Sequence, residues 1–280
     1  MNLNQPKTII FHPGIGKTAT SAIQQIGLSL PTNDSDKPCF SPFGVFGGAH
    51  NYFASNHPNF NEGIFEKEWR KLLDFALNKN SSTVISSEFL IRDKPAHIKM
   101  LLTEAKAHGL NIKVVVAVRN YADYLESAFL QGIKVKWGVK NDEDIFSFCK
   151  RELDNIRMNK LVDHWSRHIG DENVYLMNYD LDKSIFVDKF FDLLSISLPD
   201  KAESQNKINY SIPLSSAPFI RHFDNVCIAS AERVKFIKYV SELDYNEKDE
   251  LIIKEKIKNE VIKESFNHDK EILSRRYQWI

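Results

Sequence analysis

The chain has 280 residues, enough to bury one substantial core, and 42% of them are hydrophobic, which is ordinary for a globular enzyme. Its 37 basic and 37 acidic residues cancel, so the overall charge gives no reason to expect nucleic acid as a partner. The sequence offers no apolar stretch long enough for a membrane span, no secretory signal in MNLNQPKTIIF and no paired spacing among its three cysteines. We predict a single cytoplasmic domain over residues 1–280.

The motif around which the chain is organised is TIIFHPGIGKTATSAIQQ, residues 8–25. Thr8–Phe11 is a β-branched and aromatic run that predicts a buried strand, and the Pro and Gly residues after it predict a tight turn. Lys17 follows the turn, and hydroxylated residues then stand where a helix begins. Backbone N–H groups and the positive end of the helix dipole bind anions at such a junction. The motif therefore predicts a site for a phosphate or a sulfate.

Two interpretations of this loop are open. Residues 16–18, Gly-Lys-Thr, fit the end of the nucleotide triphosphatase P-loop G-x-x-x-x-G-K-S/T, but Phe11 stands where that pattern has its first Gly. A P-loop of this kind would belong to an ATP-dependent kinase or a triphosphatase that uses magnesium. Alternatively, Lys17–Ser21 resembles the run K-S/T-G-T-T/S with which the sulfotransferase family holds 3′-phosphoadenosine 5′-phosphosulfate (PAPS), with no metal required. Ala19 stands where that family usually has Gly.

The order of the predicted elements indicates a parallel α/β sheet. Short apolar runs at Thr83–Ser87, Lys113–Val118 and Val174–Met177 are separated by segments with helical periodicity. Strands that alternate with helices form a parallel sheet, here of about four to five strands flanked by helices. The resemblance implies the same architecture, a P-loop NTPase-like sulfotransferase fold. Residues 31–63, rich in Pro, Asn, Gly and Ser, predict a long substrate-side insertion, and residues 245–280 predict a helical C-terminal segment.

Arg119 and Ser127 form a second motif. Arg119 follows the most hydrophobic predicted strand, KVVVAV, and Ser127 stands eight residues later in a predicted helix. The spacing resembles the sulfotransferase pattern R-x-P-x-x-x-x-x-S, which implies that this pair binds the 3′-phosphate of PAPS; Tyr121 replaces the frequent Pro. A guanidinium fork and a hydroxyl suit a dianionic phosphate. The structural alternative is a plain ion pair between Arg119 and Asp123.

The resemblance implies transfer of a sulfuryl group from PAPS to an acceptor. In this chemistry Lys17 would stabilise the leaving phosphate, and Glu88 would take the proton from the acceptor. His50 is the alternative base, and Glu88 as an ion-pair partner of Arg92 or Lys94 is the competing structural explanation. The residues assigned to the cofactor are Gly16, Lys17, Thr18, Ala19, Thr20, Ser21, Arg119 and Ser127.

The insertion at residues 31–63 bears on the acceptor. Its aromatic residues either line a substrate cleft or anchor the loop to the body of the protein. Rings stack on sugar faces and amides bind hydroxyl groups, so this composition favours a carbohydrate or glycolipid acceptor. A third class of function is a binding protein without turnover, which the departure at Ala19 would suit.

Overall fold

The computed structural model describes residues 3–140, 142–198, 212–226, 230–243 and 247–280. The chain divides into two compact units, and the first consists of Met1–Arg119, Met158–Pro199 and Asp269–Ile280. The second unit consists of Asn120–Arg157 and Asp200–His268. The single domain predicted for residues 1–280 stays a prediction.

The first unit is built on a parallel sheet that has six strands within the described ranges, in the order β2-β3-β1-β4-β5-β6. The strands are β1 (Thr8–His12), β2 (Cys39–Phe40), β3 (Ser82–Ser86), β4 (Asn111–Val118), β5 (Val174–Asn178) and β6 (Gln278–Trp279). The sheet confirms the predicted parallel α/β architecture. It also exceeds the predicted strand number, because β2 and β6, two residues long each, extend its two edges.

Helices connect the strands and continue into the second unit. In chain order within the described ranges they are α1 (Thr20–Ser29), α2 (Glu62–Leu77), α3 (Pro95–Ala107), α4 (Tyr121–Val135), α5 (Ile145–Glu152), α6 (Met158–Ile169), α7 (Tyr179–Asp182), α8 (Phe186–Leu193), α9 (Ala217–Val226), α10 (Ser230–Ser241), α11 (Glu247–Ile257) and α12 (Lys263–Arg276). A π-helical turn, Lys258–Ile262, joins α11 to α12, and 3₁₀ turns include Asn51–Phe53 and Glu88–Arg92.

Both faces of the sheet are covered, which explains why β1 and most of β4 are buried along their length. On one face, Ile10 belongs to a core cluster that also contains residues of α1 and α8. On the other face, the Phe11 ring lies 6.5 Å from Trp69 of α2 and 5.2 Å from Trp165 of α6, measured between ring centroids. Alternate side chains of one strand therefore reach opposite layers, as the pleat requires.

Residues 31–63 run along the β2 edge of the sheet as an extended and turning segment. Lys79 holds its start, because its ammonium donates hydrogen bonds to the carbonyls of Thr32 and Asp34 at 2.8 and 2.5 Å. Phe40 and Phe53 are at most 1% exposed. These two aromatic residues anchor the segment, and its predicted position beside a substrate stays a prediction.

In the second unit, charged side chains bind helix carbonyls and form ion pairs with one another. Arg233 donates to the carbonyls of Ile133 and Lys134 at the end of α4 and also pairs with Asp224. This arrangement satisfies carbonyls that a helix C-terminus leaves without an internal partner. Lys254 pairs with Glu126 at 3.1 Å.

The predicted helical C-terminal segment, residues 245–280, is confirmed from Glu247 to Arg276; residues 245 and 246 lie outside the described residues. Its last residues form β6, which the sequence pattern did not predict. Within the described ranges no helix is both long and apolar enough to cross a membrane. Cys39 and Cys149 are buried free thiols, and Cys227 lies outside the described residues.

The contact between α1 and β2 makes a testable prediction about Gly27. A Cβ at this position would lie 2.4 Å from the buried Phe40 ring, so Gly27→Ala forces the ring or the helix to move. We expect a loss of about 1–3 kcal/mol of stability, typical of overpacking, in urea unfolding followed by circular dichroism. Gly63→Ala in α2 is the control, because its nearest neighbour would be 3.6 Å away, and it should gain up to about 1 kcal/mol. Equal stabilities of the two variants would contradict this packing.

Candidate active site at the carboxyl ends of the central strands

The loop between β1 and α1 contains two residues in the left-handed backbone region, Lys17 with φ of 68° and Ala19 with φ of 56°. For a residue with a Cβ this conformation costs roughly 1–2 kcal/mol, so the surrounding structure must hold it in place. Ala19 is the N-cap of α1 and offers no side-chain cap to the first turn. The N-terminus of α1 therefore faces this loop without the usual side-chain acceptor, a suitable arrangement for an external anion.

Two buried threonine hydroxyls hold the loop from inside. Thr18 Oγ1 donates to the carbonyl of Ile15 at 2.7 Å, and it lies 3.2 Å from Thr20 Oγ1. Gly14 is required beside them, because a Cβ there would lie 2.7 Å from Thr20 Oγ1. Ser21, the last residue of the predicted anion-binding run, is exposed.

Within the described ranges no group of three or more His, Cys, Asp or Glu side chains is placed to hold a metal ion.

Lys17, Glu88 and Arg119 come together at the carboxyl edge of the sheet. They follow β1, β3 and β4, which are neighbours because β1 lies between the other two. Nη1 of Arg119 donates to the carbonyl of Lys17 at 2.7 Å. In open parallel sheets ligands bind at this edge, at the strand from which the connections leave in opposite directions.

Burial and neighbouring charges shift the pKa values of Lys17 and Glu88. Partial desolvation lowers the pKa of Lys17; Glu88 acts against this shift and the Arg119 guanidinium adds to it. Burial raises the pKa of Glu88, while the Lys17 charge acts in the opposite direction. The charged neighbour of Glu88 in this site is thus Lys17. Gly16 lets the carboxylate approach the loop, since a Cβ on Gly16 would lie 3.1 Å from Glu88 Oε2.

Arg119 has donor capacity left for a ligand. Its guanidinium carbon lies 5.3 Å from the centre of the Tyr179 ring, and its Nε is buried without a protein partner. A buried guanidinium N–H without an acceptor is unfavourable, and an anion would satisfy it. Ser127, the predicted partner of Arg119, is half-buried in α4 of the second unit, and their joint action on one phosphate stays a prediction.

His50 is fully buried, and its two ring nitrogens both contact backbone. Nε2 lies 2.9 Å from the carbonyl of Ser41, and Nδ1 accepts a hydrogen bond from the N–H of Ser86 at 3.0 Å. Burial lowers the pKa of His50 to about 4, and the nearby backbone carbonyls of Ser41 and Ser86 act in the opposite direction. The tautomer with a proton on Nε2 satisfies both contacts. These contacts favour a structural role for His50 and leave Glu88 as the better placed of the two predicted bases.

A buried polar network beneath the loop was not predicted. His12 Nδ1 lies 2.9 Å from Ser86 Oγ, and Gln24 Nε2 donates to the same oxygen at 3.1 Å. Burial lowers the pKa of His12 to about 3, so the imidazole is neutral. The network joins the ends of β1 and β3 to α1, and so it holds in place the elements next to Lys17 and Glu88. The available sequence signal was a polar residue at the end of each buried strand.

Two solved structures are similar to this chain at low sequence identity. A sulfotransferase from Alicyclobacillus acidocaldarius is similar to this chain with a TM-score of 0.45 and 14% identity, over 86% of this chain and 97% of that chain. The sulfotransferase domain from the curacin biosynthetic pathway is similar with a TM-score of 0.38 and 12% identity, over 71% of this chain and 76% of that domain. No family model matches the chain, and no curated protein does.

Both solved structures are sulfotransferases, and both have TM-scores below 0.5 to this chain. At these identities and TM-scores the similarity carries no information about the residues, substrates or partners of this chain.

The left-handed backbone at Ala19 can be tested by comparison with a helical alanine. Ala19→Gly removes the conformational strain but also a methyl group that packs against the core cluster. Glycine also increases the conformational entropy of the unfolded chain, which lowers stability. We expect these effects nearly to cancel, giving a stability within about 0.5 kcal/mol of the wild type. Ala22→Gly, inside α1, lacks the compensating relief and should lose about 1 kcal/mol. Equal losses in urea unfolding would contradict the left-handed conformation of residue 19.

Proposed function

We propose that this chain is a PAPS-dependent sulfotransferase, located in the cytoplasm, that transfers a sulfuryl group to a hydroxyl of a carbohydrate or glycolipid. The observation that carries the proposal is the junction of Arg119 with Lys17, in which one guanidinium nitrogen binds the loop carbonyl and another is buried without a partner. A cofactor with two anionic groups, one near α1 and the other near β4, suits this arrangement of positive groups.

On the cofactor side, the run Lys17–Ser21 would receive the phosphosulfate and Arg119 with Ser127 the 3′-phosphate. The loop supports the first assignment through its left-handed turns and the uncapped start of α1. The unpartnered Nε of Arg119 supports the second assignment, because a phosphate accepts charge-assisted hydrogen bonds from a guanidinium.

The proposed reaction is an in-line displacement at sulfur. A bond forms between the acceptor oxygen and sulfur, while the bond between sulfur and the phosphate oxygen of the cofactor breaks. Glu88 takes the acceptor proton, and Lys17 stabilises the negative charge that develops on the leaving 3′,5′-adenosine bisphosphate. The raised pKa of Glu88 makes its carboxylate a stronger base than an exposed glutamate.

The kinase interpretation of residues 16–18 has less support. A triphosphatase P-loop uses the hydroxyl after its Lys to bind magnesium. Here Thr18 Oγ1 is buried and donates to the Ile15 carbonyl within the loop. This internal bond suits a loop that holds an anion through its backbone and its Lys.

Calorimetric titration separates the two enzyme classes. We expect 3′,5′-adenosine bisphosphate to bind equally with and without magnesium, and Arg119→Ala to weaken binding tenfold to a hundredfold, the usual effect of losing a charged hydrogen-bond donor. Arg275→Ala is the control, because Arg275 is exposed and pairs with Glu271. ATP binding that requires magnesium, with no binding of the bisphosphate, would refute the sulfotransferase proposal in favour of a kinase. Bisphosphate binding without any transfer from PAPS would indicate a binding protein.

The role of Glu88 predicts a pH dependence. Only the ionised carboxylate accepts a proton, so kcat/KM should fall as the pH falls through the pKa of Glu88. Because burial raises this pKa, the fall should occur at a higher pH than it would for an exposed glutamate. Glu88→Gln should lower sulfuryl transfer about 100-fold to 10,000-fold and remove this limb of the profile. Glu66→Gln, at an exposed position of α2, should change neither. An unchanged acidic limb in Glu88→Gln would exclude Glu88 as the base.

A further inference from the structure

An open groove of about 510 Å³ lies beside the start of α1, entirely within the first unit. Its volume is in the range of small-molecule sites. One wall is a face of α1, and the other is a glycine turn in the segment 31–63. The residues that line it are Ser21, Gln24, Gln25, Leu28, Ser29, Gly47 and Gly48.

The helical wall presents hydroxyl and amide groups at regular spacing. Ser21, Gln25 and Ser29 are exposed and recur every four residues, so they share one face of α1. Gln24 lies deeper, at 6% exposure, and its amide is held by the hydrogen bond to Ser86 Oγ. The described residues that line the groove include no charged side chain. The chemistry of this wall therefore suits a neutral ligand with many hydroxyl groups.

The glycine turn offers exposed backbone instead of side chains. Gly47 and Gly48 have φ of 62° and 81°, and a Cβ on Gly48 would meet nothing within 4 Å. The turn follows Phe46, whose ring lies 5.2 Å from the ring of Tyr52, and both residues are half-buried. The open peptide turn provides backbone hydrogen-bonding groups for a sugar hydroxyl.

The groove begins at the proposed phosphosulfate site and leads away from the proposed nucleotide site. Ser21 belongs both to the anion-binding run and to the groove. From there to Ser29 the groove follows about 12 Å of helix, at 1.5 Å per residue. It lies on the β2 and β3 side of β1, whereas Arg119 follows β4 on the other side. A nucleotide that reaches Arg119 would leave the groove open.

We infer that this groove binds the saccharide part of the acceptor, an inference that rests on the proposed sulfuryl transfer. Gln24 of the groove donates to Ser86 Oγ, and Ser86 stands two residues before the proposed base Glu88 in the sequence. A hydroxyl of a sugar held along α1 would thus be presented at the Ser21 end of the groove, where the run Lys17–Ser21 ends. Ring hydroxyl groups exchange hydrogen bonds with the amides and serines, and no charge on the sugar is required.

The test combines two groove substitutions in one variant, Gln25→Leu with Ser29→Leu, which remove polar groups from an exposed helical face. The matched control is Glu66→Leu with Arg70→Leu, an exposed pair at the same spacing on α2. Binding of trehalose, lactose and maltose is measured by saturation-transfer NMR, and binding of 3′,5′-adenosine bisphosphate by calorimetry. We expect at least one sugar to bind the wild type and the control, and the groove variant to bind it tenfold or more weakly. Affinity for the bisphosphate should be the same in all three proteins.

Three results would overturn the inference: no sugar of the panel binds the wild type, sugar binding survives in the groove variant, or the groove variant loses the bisphosphate instead. The last result would assign the groove to the nucleotide. Failure of the proposed function has a different signature. Sugar binding that depends on the groove, in a wild type that binds no bisphosphate, would refute sulfuryl transfer and keep the groove as a saccharide site.

Discussion

The hydrogen bond from Arg119 to the carbonyl of Lys17 is the contact on which the site depends. It joins the residue that follows β4 to the loop that follows β1, and it acts at a residue whose left-handed backbone is unfavourable by itself. A carbonyl that accepts from a guanidinium is held more strongly than one that accepts from a neutral donor. The conformation of the loop and the position of the arginine therefore support each other.

Charge within the site is unbalanced, although the chain as a whole is neutral. Two cationic side chains, Lys17 and Arg119, face one carboxylate, Glu88, whose burial opposes its ionisation. Arg119 disfavours the charged form of Lys17, so the pair is better accommodated when an anion lies between them. The excess positive charge favours a cofactor with more than one negative charge over a neutral ligand at this edge. The neutral groove along α1 has the opposite character.

Periodicity in the sequence predicted the parts of the fold that repeat. The inward residues of α2 and α3 are buried because apolar side chains recur at helical spacing, and β4 is buried because its apolar run is continuous. The strands β2 and β6 were not predicted, because a strand of two residues is too short to show a periodic pattern of apolar side chains. Their pairing is decided by neighbours that are distant in sequence. From the sequence His50 was only an alternative base, yet the chain turns its side chain inward to bind the backbone at Ser41 and Ser86. No local pattern reveals such long-range hydrogen bonds.

Within the site, the charged residues could be predicted from the sequence, but the hydrogen bonds that hold their loops in place could not. Lys17 and Arg119 stand at strand ends beside recognisable motifs, so their residue types and spacing point to an anion. The internal use of the Thr18 hydroxyl and the bonds among His12, Ser86 and Gln24 depend on the packed geometry. A hydroxyl in a motif can bind a ligand or its own loop, and only the folded arrangement decides between them.

The division of the chain into units constrains the order in which the protein can be assembled during synthesis. The first unit consists of three separate stretches of the chain. Both stretches of the second unit are translated before the last stretch of the first unit. β5 can join β4 only after residues 120–157 have emerged from the ribosome, and β6 completes the edge with Gln278 and Trp279. Until then β5 has an unpaired edge, the kind of surface on which nascent chains associate wrongly. A growing chain of this protein must keep that edge covered for most of the time it takes to make the second unit.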